Sequence, residues 1–287
     1  MVLLRLVPSG SRCANASRNV GRTRLAPAFG QRNPDIFRSE DEMFYENQVF
    51  LNRGGLRLFL DTANVSCWEE LMPTGIWYGI TTNPLILERC GVRCDMSTLK
   101  GLVEKAHKLG AKEVQLQTFG ANVDDMVRTG RALAALGHPK FPLLRIVVKV
   151  PATTDGFKTA TQLIAEGIPI TITGVYNPAQ VLAAVSLGAD YAAPYLGRMN
   201  AAARDGRGAC LTMRDMLEHY DSSLRLLVAS IKSVGELVDL AAHGCDTFTV
   251  GEDVARALFF DPLTEQAALD FDGSARKMGG YDDPPNN

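Results

Sequence analysis

Between Leu56 and Lys277 the chain alternates short runs of branched apolar residues with longer stretches in which apolar positions recur every three or four residues. The short runs read as strands, and the longer stretches as amphipathic helices that cross back over a sheet. Eight strands are predicted, over residues 58–60, 77–81, 113–117, 145–150, 168–173, 191–195, 226–230 and 247–250. Helices are expected near Glu69, Val103, Val127, Ala160, Ala183, Met216, Leu237 and Ala257. An open doubly wound sheet rarely holds eight such units in about 215 residues, whereas a closed barrel requires them. The pattern therefore predicts an α/β protein with one domain, a single (β/α)8 TIM barrel over residues 57–277. Turn residues support the register: Asp155-Gly156 is expected to open a helix ending at Gly167, and Asn177-Pro178 one ending at Gly188.

The ends of the chain differ from this body. Residues 1–34 carry six arginines and no acid, and Asp35 is the first carboxylate. That composition fits a removable organelle transit peptide, which would direct the protein to a mitochondrion or plastid; without such a signal the protein would be cytoplasmic. Residues 35–56 read as a linker or lead-in segment, and residues 278–287 as a disordered tail. With the first segment set aside, 24 of the 30 Lys and Arg stand against all 32 Asp and Glu, so the body is acidic and no nucleic-acid partner is expected. No apolar run approaches the roughly 20 residues of a membrane-spanning helix, so no membrane partner is expected either. The six cysteines are scattered, Cys90 and Cys94 lack a second ligand pair, and the four histidines stand apart, so reduced thiols and no metal are expected. Neither a dinucleotide glycine fingerprint nor a phosphate-binding P-loop occurs.

In such a barrel the strands are expected to fill the interior with branched apolar side chains, and chemistry sits at their carboxyl ends. The polar residues predicted there are Asp61, Thr81-Thr82-Asn83, Gln117, Lys149, Thr171 with Thr173, Tyr195 with Arg198, Ser230 with Lys232, and Gly251-Glu252. Lys149 is the sharpest, because Ile146-Val147-Val148-Lys149-Val150-Pro151 embeds an ammonium in an otherwise apolar strand. A buried lysine reaches the rim, pairs with a carboxylate such as Asp61, or loses its proton and becomes a nucleophile able to form a Schiff base. Arg198, Ser230 and Lys232 follow the sixth and seventh strands, where barrels often hold a phosphate. Asp61 could equally cap the turn through Thr62-Ala63-Asn64.

The runs Leu58-Phe59-Leu60-Asp61-Thr62-Ala63-Asn64, Gly79-Ile80-Thr81-Thr82-Asn83-Pro84, Val147-Val148-Lys149-Val150-Pro151-Ala152-Thr153 and Gly188-Ala189-Asp190-Tyr191-Ala192-Ala193-Pro194-Tyr195-Leu196-Gly197-Arg198 resemble, in order, four blocks of the transaldolase family. The likeness covers about residues 57–271 and is greatest to the short members, which include fructose-6-phosphate aldolase. It implies a class I aldolase that uses Lys149 as its Schiff-base amine and needs no metal or other cofactor. It further implies that Asp61 assists the amine, that Gln117, Thr173 and Tyr195 hold the catalytic water, and that Thr82, Asn83, Arg198, Ser230 and Lys232 bind substrate. The aldolase members carry Gln and Tyr at the positions of Gln117 and Tyr195, whereas transaldolases usually carry Glu and Phe; Lys232 also sides with the aldolases, and Thr171 departs from the transaldolase Asn. The expected reaction is reversible cleavage of a ketose phosphate such as fructose 6-phosphate. The alternatives are dihydroxyacetone transfer between sugar phosphates, as in the pentose phosphate pathway, and an inactive barrel with a binding role. Sugar phosphates are the expected partners, together with further copies of the chain, reached through a C-terminal helix predicted over residues 262–275.

Overall fold

The computed structural model of the protein describes residues 55–137 and 141–280. The predicted transit peptide, nearly all of the lead-in segment and the last seven residues of the tail lie outside the described residues.

Eight strands, β1 (Arg57–Asp61), β2 (Trp77–Thr81), β3 (Glu113–Gln117), β4 (Arg145–Pro151), β5 (Ile170–Val175), β6 (Tyr191–Pro194), β7 (Arg225–Ile231) and β8 (Thr247–Val250), form a closed parallel barrel in sequence order. The chain returns through α1 (Val65–Leu71), α2 (Pro84–Arg89), α3 (Met96–Lys108), α4 (Val123–Ala134), α5 (Thr154–Ala165), α6 (Pro178–Leu187), α7 (Leu196–Ala201), α8 (Gly206–His219), α9 (Val234–Ala242) and α10 (Glu252–Ala257). A last helix, α11 (Pro262–Lys277), buries no residue and runs two residues beyond its expected end. The barrel is the predicted architecture, and β2, β3 and β8 have the predicted bounds.

Three expectations are corrected at element ends. The fifth strand begins at Ile170, not Ile168, because the Ile168 N–H closes the preceding helix on the Leu163 carbonyl, with Gly167 at φ 76°. Asp155-Gly156 does not open α5; Thr153 caps it by accepting from the Gly156 N–H at 3.0 Å, and Asp155 lies within its first turn. Gly156 is required for packing instead, since a Cβ there would lie 1.8 Å from the Pro151 carbonyl oxygen. The sixth strand stops at Pro194, because Tyr195 turns into α7 and keeps only one bridge, to Ala229.

The expected apolar filling of the barrel is also corrected. The branched side chains of the strands, among them Ile80, Val114, Val148, Val150, Ile172 and Val228, face outward and make one core with the helices. Inside, the buried apolar cluster is small: Phe59, Val147, Tyr191, Ala193 and Leu227, with Tyr78 and Tyr195 against it. Strand alternation permits either sorting, and here the helices take the aliphatic face.

Below that cluster the interior is ionic. Arg57, Glu113, Arg145 and Tyr191 are each the first residue of a strand, so they gather at the amino end of the barrel. Glu113 is fully buried and accepts from Arg145 Nη1 at 3.2 Å, Tyr191 Oη at 3.0 Å and Gln115 Nε2 at 2.8 Å. Arg57 donates to Tyr191, and Arg145 also pairs with Asp190. Burial raises the Glu113 carboxyl above its usual range, opposed by the Gln115 hydrogen bond and the Arg145 charge. Losing Arg145 would leave the buried Glu113 charge without its nearest ionic partner, whereas Arg145, half-buried, keeps Asp190 when Glu113 is lost.

Candidate active site

All eight strands are parallel, so their last residues meet at the opposite end. Lys149 lies on β4 between Val148 and Val150, which face the helices, so strand alternation points it inward with Val147. Its neighbours in register are Gln117 on β3 and Thr171 on β5. The residue is only 2% exposed, which is incompatible with a side chain extended to the rim. Among the described residues Lys149 makes no ion pair or hydrogen bond through its side chain, so pairing with Asp61 is not observed.

Asp61, at the end of β1, accepts from Thr81 Oγ1 at 2.7 Å, and the Thr81 hydroxyl in turn bonds that of Thr249. Asp61 caps no helix; Asn64 caps α1 by accepting from the Ser66 N–H. Thr81 rather than Thr82 faces Asp61. Thr82 is buried, and among the described residues its hydroxyl reaches only the Asn83 carbonyl, at 3.5 Å. Asn83 caps α2, its Oδ1 accepting from the Ile86 N–H at 3.1 Å, which leaves its amide nitrogen for another partner. Thr249 was not among the expected residues; its inward position on β8, two residues before Gly251, is the signal that could have revealed it.

On the other side of Lys149, the Thr173 and Tyr195 hydroxyls lie 2.9 Å apart. Gly174, at φ 70°, carries a register shift just beyond Thr173. Gln117 is half-buried and its amide is unengaged among the described residues, so it can orient water. Burial pushes the thiols of Cys67 and Cys245 up to about 11 and that of Cys210 to about 12, so none of the three offers a thiolate near neutrality. Among the described residues no cluster of three or more His, Cys, Asp or Glu could hold a metal ion, and no helix is long and apolar enough to cross a membrane.

The expected phosphate residues converge where α7 meets the end of β7. A Cβ on Gly197 would lie 2.3 Å from the Ser230 carbonyl oxygen and 3.0 Å from Lys232 Cγ, so only glycine permits this approach. Ser230 sits at φ 60°, while Arg198 and Lys232 are exposed. The Arg198 guanidinium lies 5.0 Å from the Tyr195 ring centre and donates to Tyr176 Oη at 3.4 Å. Tyr176, absent from the expected set, packs edge-on against Tyr195 with ring centres 5.7 Å apart.

The family model described as Transaldolase/Fructose-6-phosphate aldolase matches residues 58–281. The chain is 33% identical over 210 residues to a probable transaldolase of Aquifex aeolicus, covering 73% of this chain and 92% of that one. It is 32% identical over 226 residues to a probable transaldolase of Phenylobacterium zucineum, covering 78% and 98%. Among solved structures, a flavocytochrome b2 variant aligns with a TM-score of 0.49 at 12% identity, covering 69% of this chain and 56% of that one. A mandelate oxidase variant with a C4a-OH-FMN adduct aligns with a TM-score of 0.48 at 15% identity, covering 70% and 67%. The family match spans all but the first residue of the barrel and includes every site residue above, and on it the chain belongs to the transaldolase and fructose-6-phosphate aldolase family of enzymes.

Proposed function

We propose that this chain is a class I aldolase, cleaving a ketose phosphate such as fructose 6-phosphate reversibly into dihydroxyacetone and glyceraldehyde 3-phosphate. The observation that carries the reading is Lys149: buried, inward-facing, without an ionic partner, and flanked by polar groups that can manage water. The neutral amine attacks the C2 carbonyl carbon, and the carbonyl electron pair moves to oxygen. That oxygen is protonated and leaves as water, which gives an iminium. The C4 hydroxyl then loses its proton, the C3–C4 bond breaks, and its electrons enter the iminium to leave an enamine on Lys149. Protonation of the enamine at carbon and hydrolysis release dihydroxyacetone. Asp61, held by Thr81, and the water-holding set Gln117, Thr173 and Tyr195 supply the proton transfers; no metal or other cofactor takes part. Asn83 and Thr82 would stand near the hydroxyketone end. Arg198, Ser230 and Lys232 would bind the phosphate.

A second reading is transfer of the dihydroxyacetone unit, favoured by relatives that are named probable transaldolases. Against it, a neutral Gln117 can orient water but cannot hold a proton as a carboxylate would. Incubation of the purified protein with fructose 6-phosphate alone separates the two. Multiple-turnover release of glyceraldehyde 3-phosphate supports the aldolase, whereas release only after erythrose 4-phosphate is added supports the transferase.

Two further features belong to this reading. Helix α11 exposes Leu263, Leu269 and Phe271 and has no buried residue, which supports a homo-oligomer that covers it. Light scattering on the intact protein should give a mass above one chain, and a monomer at micromolar concentration would contradict it. Residues 1–34 would act as an organelle presequence; fused to a fluorescent protein, they should move it from the cytoplasm into a mitochondrion or plastid, and diffuse fluorescence would contradict that.

A further inference from the structure

A chain of hydrogen bonds runs up the barrel axis from the ionic end to the residue beside Lys149. Glu113 accepts from Gln115 Nε2 at 2.8 Å, and Gln115 Oε1 accepts from Thr171 Oγ1 at 2.8 Å. Glu113, Gln115 and Thr171 are all fully buried. Thr171 is the register partner of Lys149, so the two side chains stand next to each other on the inner face.

The direction of this chain is set at its base. Both oxygens of Glu113 accept, one from Gln115 and the other from Arg145 and Tyr191. The Gln115 amide must therefore turn its nitrogen toward Glu113 and its oxygen toward Thr171. A hydroxyl has one proton, and that of Thr171 is spent on Gln115. What Thr171 can still offer to its other side is an acceptor.

This matters to a neighbouring amine. A neutral lysine attacks through its lone pair, and a hydroxyl that donated to that pair would have to be displaced before each attack. We infer that Glu113 and Gln115 are positioning residues that hold the Thr171 proton away from Lys149, keeping the nucleophile's lone pair free for the carbonyl substrate. The inference deepens the Schiff-base reading and rests on it. Thr171 is needed less for its own contact than it is dangerous when released.

That asymmetry gives a test no purely structural role would pass. The protein is mixed with dihydroxyacetone, quenched with excess borohydride at timed intervals, and the fraction of reduced adduct is read by intact mass. Gln115→Met frees the Thr171 proton and should slow adduct formation about tenfold, the effect of one hydrogen bond made in the ground state alone. Thr171→Val should stay within about threefold of wild type, since no donor is left to obstruct the amine. The double variant should then be faster than Gln115→Met, a reversal of sign. A double variant as slow as or slower than Gln115→Met would overturn the inference, because damage to packing accumulates. If Gln115→Met does not fold, the same cycle starts from Glu113→Gln, whose amide no longer imposes one orientation on Gln115. A smaller slowing relieved by Thr171→Val is expected, and no relief would be contrary. Absence of any adduct on wild-type protein would instead defeat the Schiff-base reading itself.

Discussion

The two ends of the barrel interior handle buried polarity in opposite ways. At the amino end Arg57, Glu113, Arg145 and Tyr191 satisfy one another, and Tyr78 lies beneath the Arg57 guanidinium at 4.4 Å. At the carboxyl end Lys149 and Gln117 are left without side-chain partners among the described residues, while Asp61 and Tyr195 are each oriented by a threonine. A closed network lowers the energy of the folded state and has nothing to give a substrate. An incomplete one is costly to fold around and can be completed by a substrate, which is where reactivity belongs. The same fold holds both, with an apolar cluster around Phe59, Val147 and Leu227 between them that the Glu113–Gln115–Thr171 hydrogen bonds pass by.

Substitutions at the two ends should therefore separate activity from stability. The largest effect is expected for Lys149→Met, which should lower aldol turnover at least about 10³-fold in a steady-state assay. The melting temperature should hold or rise, because an apolar side chain replaces an unpaired amine. A large fall in melting temperature would mean the amine has an ionic partner after all. Glu113→Ala should do the reverse: a stability loss of about 2–3 kcal/mol by urea unfolding, from leaving the buried Tyr191 and Gln115 donors without their acceptor, while Arg145 keeps Asp190. A loss below about 1 kcal/mol would show the amino end to be as incomplete as the other. Tyr195→Phe should reduce kcat about 10- to 100-fold through lost proton handling, with urea unfolding little altered. The smallest effect is expected at the rim, where Arg198→Ala should raise KM about tenfold for a phosphorylated aldehyde and leave that for an unphosphorylated one unchanged. Equal changes for both substrates would remove the phosphate from this position.

How far the sequence foretold this arrangement follows from what periodicity encodes. The strands Trp77–Thr81, Glu113–Gln117 and Thr247–Val250 are bounded by clear turn or helix signals and were legible to the residue. The start of β5 was not, because Ile168 and Pro169 continue an apolar run, while the hydrogen bond that assigns Ile168 to the preceding helix depends on Gly167. Alternation with period two reveals that two faces differ and not which one lines the barrel. The ionic filling contributed by Arg57, Glu113 and Arg145 therefore went unread, although each opens its strand with a charge. Lys149 was legible because a lysine inside Ile146–Val150 breaks a composition rule on its own. Thr249 and Tyr176 were not, since their value lies in contacts with Thr81 and Tyr195 made across the fold. Thr82 was placed in the site one residue away from Thr81, the side chain that faces Asp61.

The most direct test of the account is the location of the covalent bond. Wild-type protein and Lys149→Met are incubated with dihydroxyacetone and borohydride, digested, and mapped by mass spectrometry. The account predicts a single reduced three-carbon adduct on the peptide containing Lys149, absent from the variant. An adduct on another lysine, or one that persists in Lys149→Met, would contradict it.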